Sequence, residues 1–393
     1  MSLAPATEPL LRIQDAFDVI RETADASEAA RCLSSDAHAA MAAAGVFDLV
    51  RPRAYGGEEV DLLTLCRVIR DISRVDGSAG WCAMISGVYG AFGGMLPHKG
   101  AEEIFAPGST VIAGALGPGG MAERVEGGYR LSGRWPFASN SPHANWFVAG
   151  ALVTEGGQPV IQPHGAPILL QMFLPREEVE IIDVWQTTGL KATSSNDYTI
   201  TDAFVPAHRT FAYSDPPTNA GTLYQMPLVA SFGTAISAVS LGIARHALDI
   251  VQAMAATKSP VLSPVTMQHK PNVQDRVGVA LANVNAAEAY LERAISYAWA
   301  RAEAGERFDW ADRGPLWLAA THCAQVCVEA VNALYTVGGG SSVFAANALD
   351  RCLRDIRTAS QHVMTQYLNY EVAGKQFLGL PVHDTIWSFD YRP

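Results

Sequence analysis

Residues 185–198 read WQTTGLKATSSNDY, and FVP follows at 204–206. Gly189 interrupts the run, Ser194, Ser195, Asn196 and Asp197 form a turn-rich polar knot, and β-prone residues lead out of it. Upstream, LSGRWPFASN at 131–140 has the same character, a strand that ends on small polar residues. Around these two stretches lie further short β-rich runs, VIAGAL, YRLSG, NWFVAGALV, APILLQMFL and DYTITDAFV, each closed by Gly, Pro, Asn or Asp. Together they predict one β-domain over 113–212.

On either side the hydrophobic period changes to that of a helix. Over 1–112, apolar residues three and four apart mark helices within 16–44, 62–72 and 79–95. RPRAYGGEE at 51–59 interrupts them as a loop, through Pro52 and the Gly56-Gly57 pair. Over 213–393 the helical stretches are 228–257, 273–304, 310–337 and 346–377, long enough for a four-helix bundle, with Gly338-Gly339-Gly340-Ser341-Ser342 between the last two. The fold class is therefore α+β: an N-terminal helical domain, a central β-domain and a C-terminal four-helix bundle.

Hydrophobic residues make up 49% of the 393 and charged ones 17%, enough for a large core and too apolar for a disordered chain. The net charge is −11 and no Lys/Arg block stands out, which disfavours nucleic acid and anionic membranes as partners. The first twenty residues lack a basic segment followed by an apolar core, and no run is read as a membrane span, so a cytoplasmic protein is expected. Cys323 and Cys327 lie one helical turn apart, but His322 alone does not complete a zinc site. The six cysteines are read as reduced thiols, and no metal is expected.

The motifs themselves resemble those of the acyl-CoA dehydrogenase superfamily. RPRAYGG at 51–57, GSAGW at 77–81, the two β-domain stretches, GIARHAL at 242–248 and LRD at 353–355 fall in the superfamily's order over nearly the whole chain. Two departures are informative. The Arg-x-x-Phe-Gly segment by which such dehydrogenases hold the FAD pyrophosphate is replaced by TKSPVLSP at 257–264. The glutamate expected eight residues beyond Asp355 is Val363, with His362 beside it. Both departures are similar to the two-component flavin monooxygenases of this fold. Those carry Gly-Gly-Ser-Ser (here 339–342), Arg-Asp-x6-His (Arg354, Asp355, His362) and Trp-x-Phe-x-Ser followed by a histidine (Trp135, Phe137, Ser139, His143). Where several of them have a second active-site histidine, this chain has Tyr89.

The resemblance implies an oxygenase component. Reduced FMN comes from a separate NAD(P)H-dependent flavin reductase, with FAD as the alternative cofactor, and oxygen reaches a small aromatic or heteroaromatic substrate through a flavin C4a-hydroperoxide. It also implies a homotetramer. His362 is the candidate base, with an ordinary pKa of about 6.5. Ser139 is the candidate donor to flavin N5 or the peroxide, and Trp135 and Phe137 pack around the ring or the substrate. Ser194 and Ser195 touch the flavin, Arg276 or Lys270 takes its phosphate, and Gly339, Gly340 and Ser341 lie near that end. Trp81, Tyr89 and His143 belong to the substrate pocket. Two other readings remain open: an FAD-dependent acyl-CoA dehydrogenase or oxidase, for which Glu371 is a poor candidate base, and a non-catalytic homologue that binds a ligand or a partner.

Overall fold

The computed structural model describes residues 7–105, 108, 110–162, 165–261 and 263–382. Helices come first: α1 (Thr7–Arg12), α2 (Gln14–Ala30), α3 (Ser35–Ala43), α4 (Leu62–Val75), α5 (Gly77–Tyr89) and α6 (His98–Phe105). Carboxylates start the two central ones. Asp61 accepts from Thr64 N at the head of α4, and Asp76 from Ala79 N at the head of α5, satisfying amides that have no partner inside the helix. Asp76 is also the residue on which α4 ends, so α4 and α5 meet at a sharp corner.

The strands are β1 (Ile112–Val125), β2 (Gly128–Ala138), β3 (Trp146–Glu155), β4 (Gln158–Pro159), β5 (Leu169–Pro175), β6 (Glu180–Ile182), β7 (Asn196–Pro206) and β8 (Thr210–Phe211). They form one sheet in the order β6-β7-β2-β1-β3-β5-β8, with β4 on β3. β1 runs parallel to β3, and the remaining pairs are antiparallel. The β1–β3 register slips between Ala115 and Gly120. Such a bulge bends the strand and leaves its backbone partly unpaired.

Trp135 lies under that bulge, fully buried and stacked on Tyr198 at 5.2 Å, and its Nε1 donates to Gly150 O (2.7 Å). Gly119 and Gly120 run directly across its ring. A Cβ on either would stand 2.3 or 2.4 Å from Trp135 atoms.

The last region holds α7 (Leu228–Thr257), α8 (Pro271–Glu303), α9 (Trp310–Gly338), α10 (Ala348–Ala359) and α11 (Asn369–Phe377). Two expectations need correction. The helix read over 346–377 is broken: α10 stops at Ala359, and residues 360–368 form tight turns in which Asn369 Nδ2 donates to Val363 O (3.2 Å). The side-chain amide competes here with helical hydrogen bonding. And α7, whose most apolar 18-residue window has a mean hydropathy of 1.5, is long and apolar enough to cross a bilayer, yet 94% of that window is buried inside the fold. It packs on α4, α5, α9 and α10, which accounts for apolar residues on every side.

Candidate active site

A cavity of about 1140 Å³ opens where the three regions meet. That is just above the roughly 300–1,000 Å³ usual for a small-molecule pocket. α5 contributes Trp81, Met84, Ile85, Val88 and Tyr89, and α7 contributes Val229, Phe232 and Ile236. The bulged backbone of 114–119, Phe137 and Ser139 from the β2 end, residues 185–188, Leu190, Ser195, Arg357, Thr358 and residues 361–364 complete the wall. The α5 and α7 side is buried, whereas Phe137, Gln186, Thr188, Arg357, Gln361 and Val363 are exposed and form the mouth.

A directed chain of hydrogen bonds runs along one wall. Thr193 Oγ1 donates to Leu190 O (2.9 Å), so its one hydrogen is used. Ser195 Oγ, 2.7 Å away, must therefore donate to Thr193, and Ser139 Oγ, 2.6 Å further on, must donate to Ser195. Trp81 Nε1 closes the series by donating to Ser139 Oγ (2.9 Å). Every hydroxyl hydrogen is spent inside the chain, so Ser139, 3% exposed, can offer the cavity only an acceptor lone pair. The expectation of a donating Ser139 is corrected on that account.

The Leu190 end of this chain is anchored by α10. Leu190 N donates to Asp355 Oδ1 (2.6 Å), Arg354 Nη1 donates to Thr188 O (2.8 Å), and Trp185 Nε1 donates to Leu190 O (2.9 Å). Gly189 lies so close that a Cβ would stand 2.0 Å from Arg354 O. Arg354 in turn pairs with Glu28 and Asp350. Asp355 is buried, with no cation in hydrogen-bond contact among the described residues, and burial, then the charge of Asp76, pushes its carboxyl up to about 7.

His362 lines the cavity from the turn after α10, with the Trp81 ring edge-on at 5.8 Å. Met364 N donates to its Nδ1 (3.3 Å), which leaves the proton of the neutral ring on Nε2. Burial lowers its pKa to about 4. The imidazole is thus neutral near pH 7 and is better suited to donate from Nε2 than to act as the expected base. Tyr89 is buried, its hydroxyl donates to Gly114 O (3.1 Å), and burial pushes its pKa up, so it serves as wall.

Several expected site residues lie elsewhere. Trp135 borders the cavity but is a core residue of the β-domain. Phe137 does sit at the mouth, 65% exposed, edge-on to Trp185 at 6.2 Å. Ser194 turns away and donates to Arg31 O, at the end of α2. His143 is not in this cavity: it stacks on His38 at 4.3 Å, with Nε2 2.8 Å from Leu33 O, and lines a smaller cavity of about 670 Å³. Arg276 is exposed on α8 and Lys270 is half-buried just before that helix, and both lie outside the cavity wall. Gly339, Gly340 and Ser341 lie at the end of α9, where Lys258 Nζ donates to Gly338 O (2.6 Å) and to Ser341 Oγ. Glu371 pairs with Lys375 (2.8 Å) on α11, away from the cavity.

Sequence reasoning missed Trp185, Arg357 and the α7 wall. Trp185 opens the motif quoted first and could have been found there. The α7 residues carry no signal, because that half of the helix, 228–244, is buried on every side.

The residues present suit a flavin. An apolar slot between Phe137, Trp185 and Trp81, bordered by acceptor hydroxyls and by the exposed β1 backbone, matches a flat ring system with polar edges.

Comparison with known proteins agrees. Residues 16–104 match the acyl-CoA dehydrogenase N-terminal domain, and residues 234–367 match the acyl-CoA dehydrogenase C-terminal domain. Indole-3-acetate monooxygenase of Pseudomonas putida is 31% identical over 382 residues, covering 96% of this chain and 95% of its own. The oxygenase component of an FADH(2)-dependent resorcinol hydroxylase from a Rhizobium species is 28% identical, covering 92% of this chain and 91% of its own. The solved structure of the HsaA monooxygenase from M. tuberculosis superimposes with a TM-score of 0.88 at 27% identity, covering 97% of this chain and 99% of that one. The chain belongs to the acyl-CoA dehydrogenase family and, within it, to the flavin-dependent monooxygenases rather than the dehydrogenases.

Proposed function

We propose that the protein is the oxygenase component of a two-component system that hydroxylates a small aromatic or heteroaromatic molecule. One observation carries the reading: the cavity wall holds a neutral histidine and, among the described residues, no carboxylate. A dehydrogenase of this fold needs a carboxylate to remove the α-proton of a thioester. A hydroxylase needs a dry, apolar chamber with few, well-placed polar groups.

Reduced flavin, when bound, supplies the electrons by which one oxygen atom of O₂ enters the substrate and the other leaves as water. The chain's own residues do the rest. Ser139 and Ser195, whose hydrogens are spent within the chain, would hold the flavin through their acceptor lone pairs, which suit the N–H that a reduced flavin carries. His362 would donate a hydrogen bond from Nε2 into the cavity. Met84, Val88, Phe232 and Ile236 exclude water and receive the aromatic ring.

FMN is the favoured flavin and FAD the alternative, delivered by a separate NAD(P)H-dependent reductase. In this reading residues 1–112, 113–212 and 213–393 form the three domains around one site. The protein works in the cytoplasm, where its free thiols stay reduced. A homotetramer covers the exposed Val279, Leu281, Tyr290 and Tyr297 of α8 and brings Arg276 to a neighbouring copy.

The test is direct. With a flavin reductase, NADH, FMN or FAD and isotopically labelled O₂, the purified protein should convert an aromatic substrate into a product carrying one labelled oxygen. Flavin bleached by an acyl-CoA under nitrogen, with no labelled product, would sink the reading. Failure to bind flavin in either redox state would leave a non-catalytic homologue.

A further inference from the structure

The cavity wall carries charge at one point. Among the described residues that line it, Arg357 is the sole ionised side chain. Along α10 it differs from its neighbours. Arg351 is neutralised by Asp25 and Glu28, and Arg354 by Asp350 and Glu28. Arg357, at the mouth, instead donates from Nη2 to a neutral partner, Asn332 Oδ1 (2.9 Å), and makes no ion pair among the described residues. Its remaining N–H groups stay available on the cavity side. Gln361, one turn further on, lines the same edge and adds an amide. Facing this polar edge is the apolar wall of Met84, Val88, Phe232 and Ile236.

A guanidinium without a counter-ion, next to an apolar slot, is suited to a molecule with a flat apolar body and a carboxylate end. We infer that the substrate is an aromatic acid whose carboxylate pairs with Arg357 while its ring lies against the α5 and α7 wall. This deepens the monooxygenase reading and rests on it. The phosphate of the flavin shares the same oxyanion chemistry, so the test must separate the two.

Binding, not turnover, is the measurement, so that failure here is distinct from failure of the monooxygenase reading. The full chain and Arg357→Gln are titrated calorimetrically with indole-3-acetate, phenylacetate and benzoate, with the amide of each, and with FMN and riboflavin. At least one acid should bind the wild type more tightly than its amide. Arg357→Gln should weaken that acid about ten- to a hundredfold, as expected for a charge-assisted hydrogen bond, and leave the amide within about twofold. Arg357→Lys should recover part of the loss.

Three results overturn the inference. No acid binds better than its amide in the wild type; acid and amide weaken together in Arg357→Gln; or FMN, but not riboflavin, loses affinity while the acids do not, which would assign Arg357 to the flavin phosphate.

Discussion

Asp355 Oδ1 accepts a 2.6 Å hydrogen bond from the backbone N–H of Leu190, and through this contact α10 holds the far end of the Trp81–Ser139–Ser195–Thr193 chain. Because His362 follows the same helix, the aspartate sets the serines and the histidine relative to one another. Asp355→Ala would leave a buried amide unpaired, a loss of about 1–3 kcal/mol. Its melting temperature should fall and its flavin affinity with it. Gly189→Ala, which forces the turn off Arg354 O, should weaken flavin binding in the same way. Unchanged flavin affinity in both variants would show that the clasp does not shape the site.

Asp355 and His362 should pull stability in opposite directions with pH. The folded state keeps a proton on Asp355 up to about 7, whereas the unfolded chain releases it near 3.9. Stability from this group is therefore present at low pH and is lost as pH rises toward 7. His362 is depressed to about 4, so only the unfolded chain takes up a proton as pH drops below about 6.5. Its contribution is present above that value and is lost as pH falls toward 4. Asp355→Asn should flatten the first trend and His362→Gln the second, in thermal melts between about pH 5 and 8. His38, also near 4, titrates in the histidine window, so the difference from wild type is what reports on His362. A variant whose profile runs parallel to wild type would clear that group.

The two adjacent serines should behave differently. Ser139→Ala cuts the chain between Trp81 and Ser195 and should weaken flavin binding by about 1 kcal/mol or more, roughly a factor of five to ten. Ser194→Ala removes a bond to the Arg31 carbonyl, so it should lower the melting temperature slightly and leave flavin affinity alone. Flavin titrations of both proteins decide the point.

Removing the imidazole donor in the turn after α10 should separate oxygen consumption from product. His362→Ala should bind flavin normally but lower the product formed per O₂ consumed by roughly ten- to a hundredfold, the cost of losing one well-placed donor. His362→Gln, which keeps an N–H, should recover part of it. Full product yield in the alanine variant would remove His362 from the chemistry.

Trp135 should be read out in stability, not binding. Fully buried and stacked on Tyr198, it should lose about 3–5 kcal/mol on replacement by Ala. Gly120→Ala, which places a Cβ 2.4 Å from the same ring, should also destabilise the sheet. Chemical denaturation measures both.

Local pattern determined a good deal of this protein. The change from a 3.6-residue to a 2-residue period and back outlines helices, sheet and bundle, because one-sided burial imposes the period of each element on its sequence. The motifs around Ser139, Ser195, Asp355 and His362 lie on segments that the fold brings to one cavity, and they were legible as short strings. Tertiary structure alone decided which way each of these side chains points. Ser194 and Ser195 are neighbours in the chain, yet the left-handed backbone at Ser194 sends one hydroxyl to Arg31 and the other into the cavity wall. Likewise His362 looked like a base until burial and the Met364 amide made it a neutral donor, and Arg357 stood out only once its α10 neighbours were seen in ion pairs and it was seen bonded to Asn332. Protonation and pairing depend on what stands opposite a group in space, and a linear pattern does not carry that.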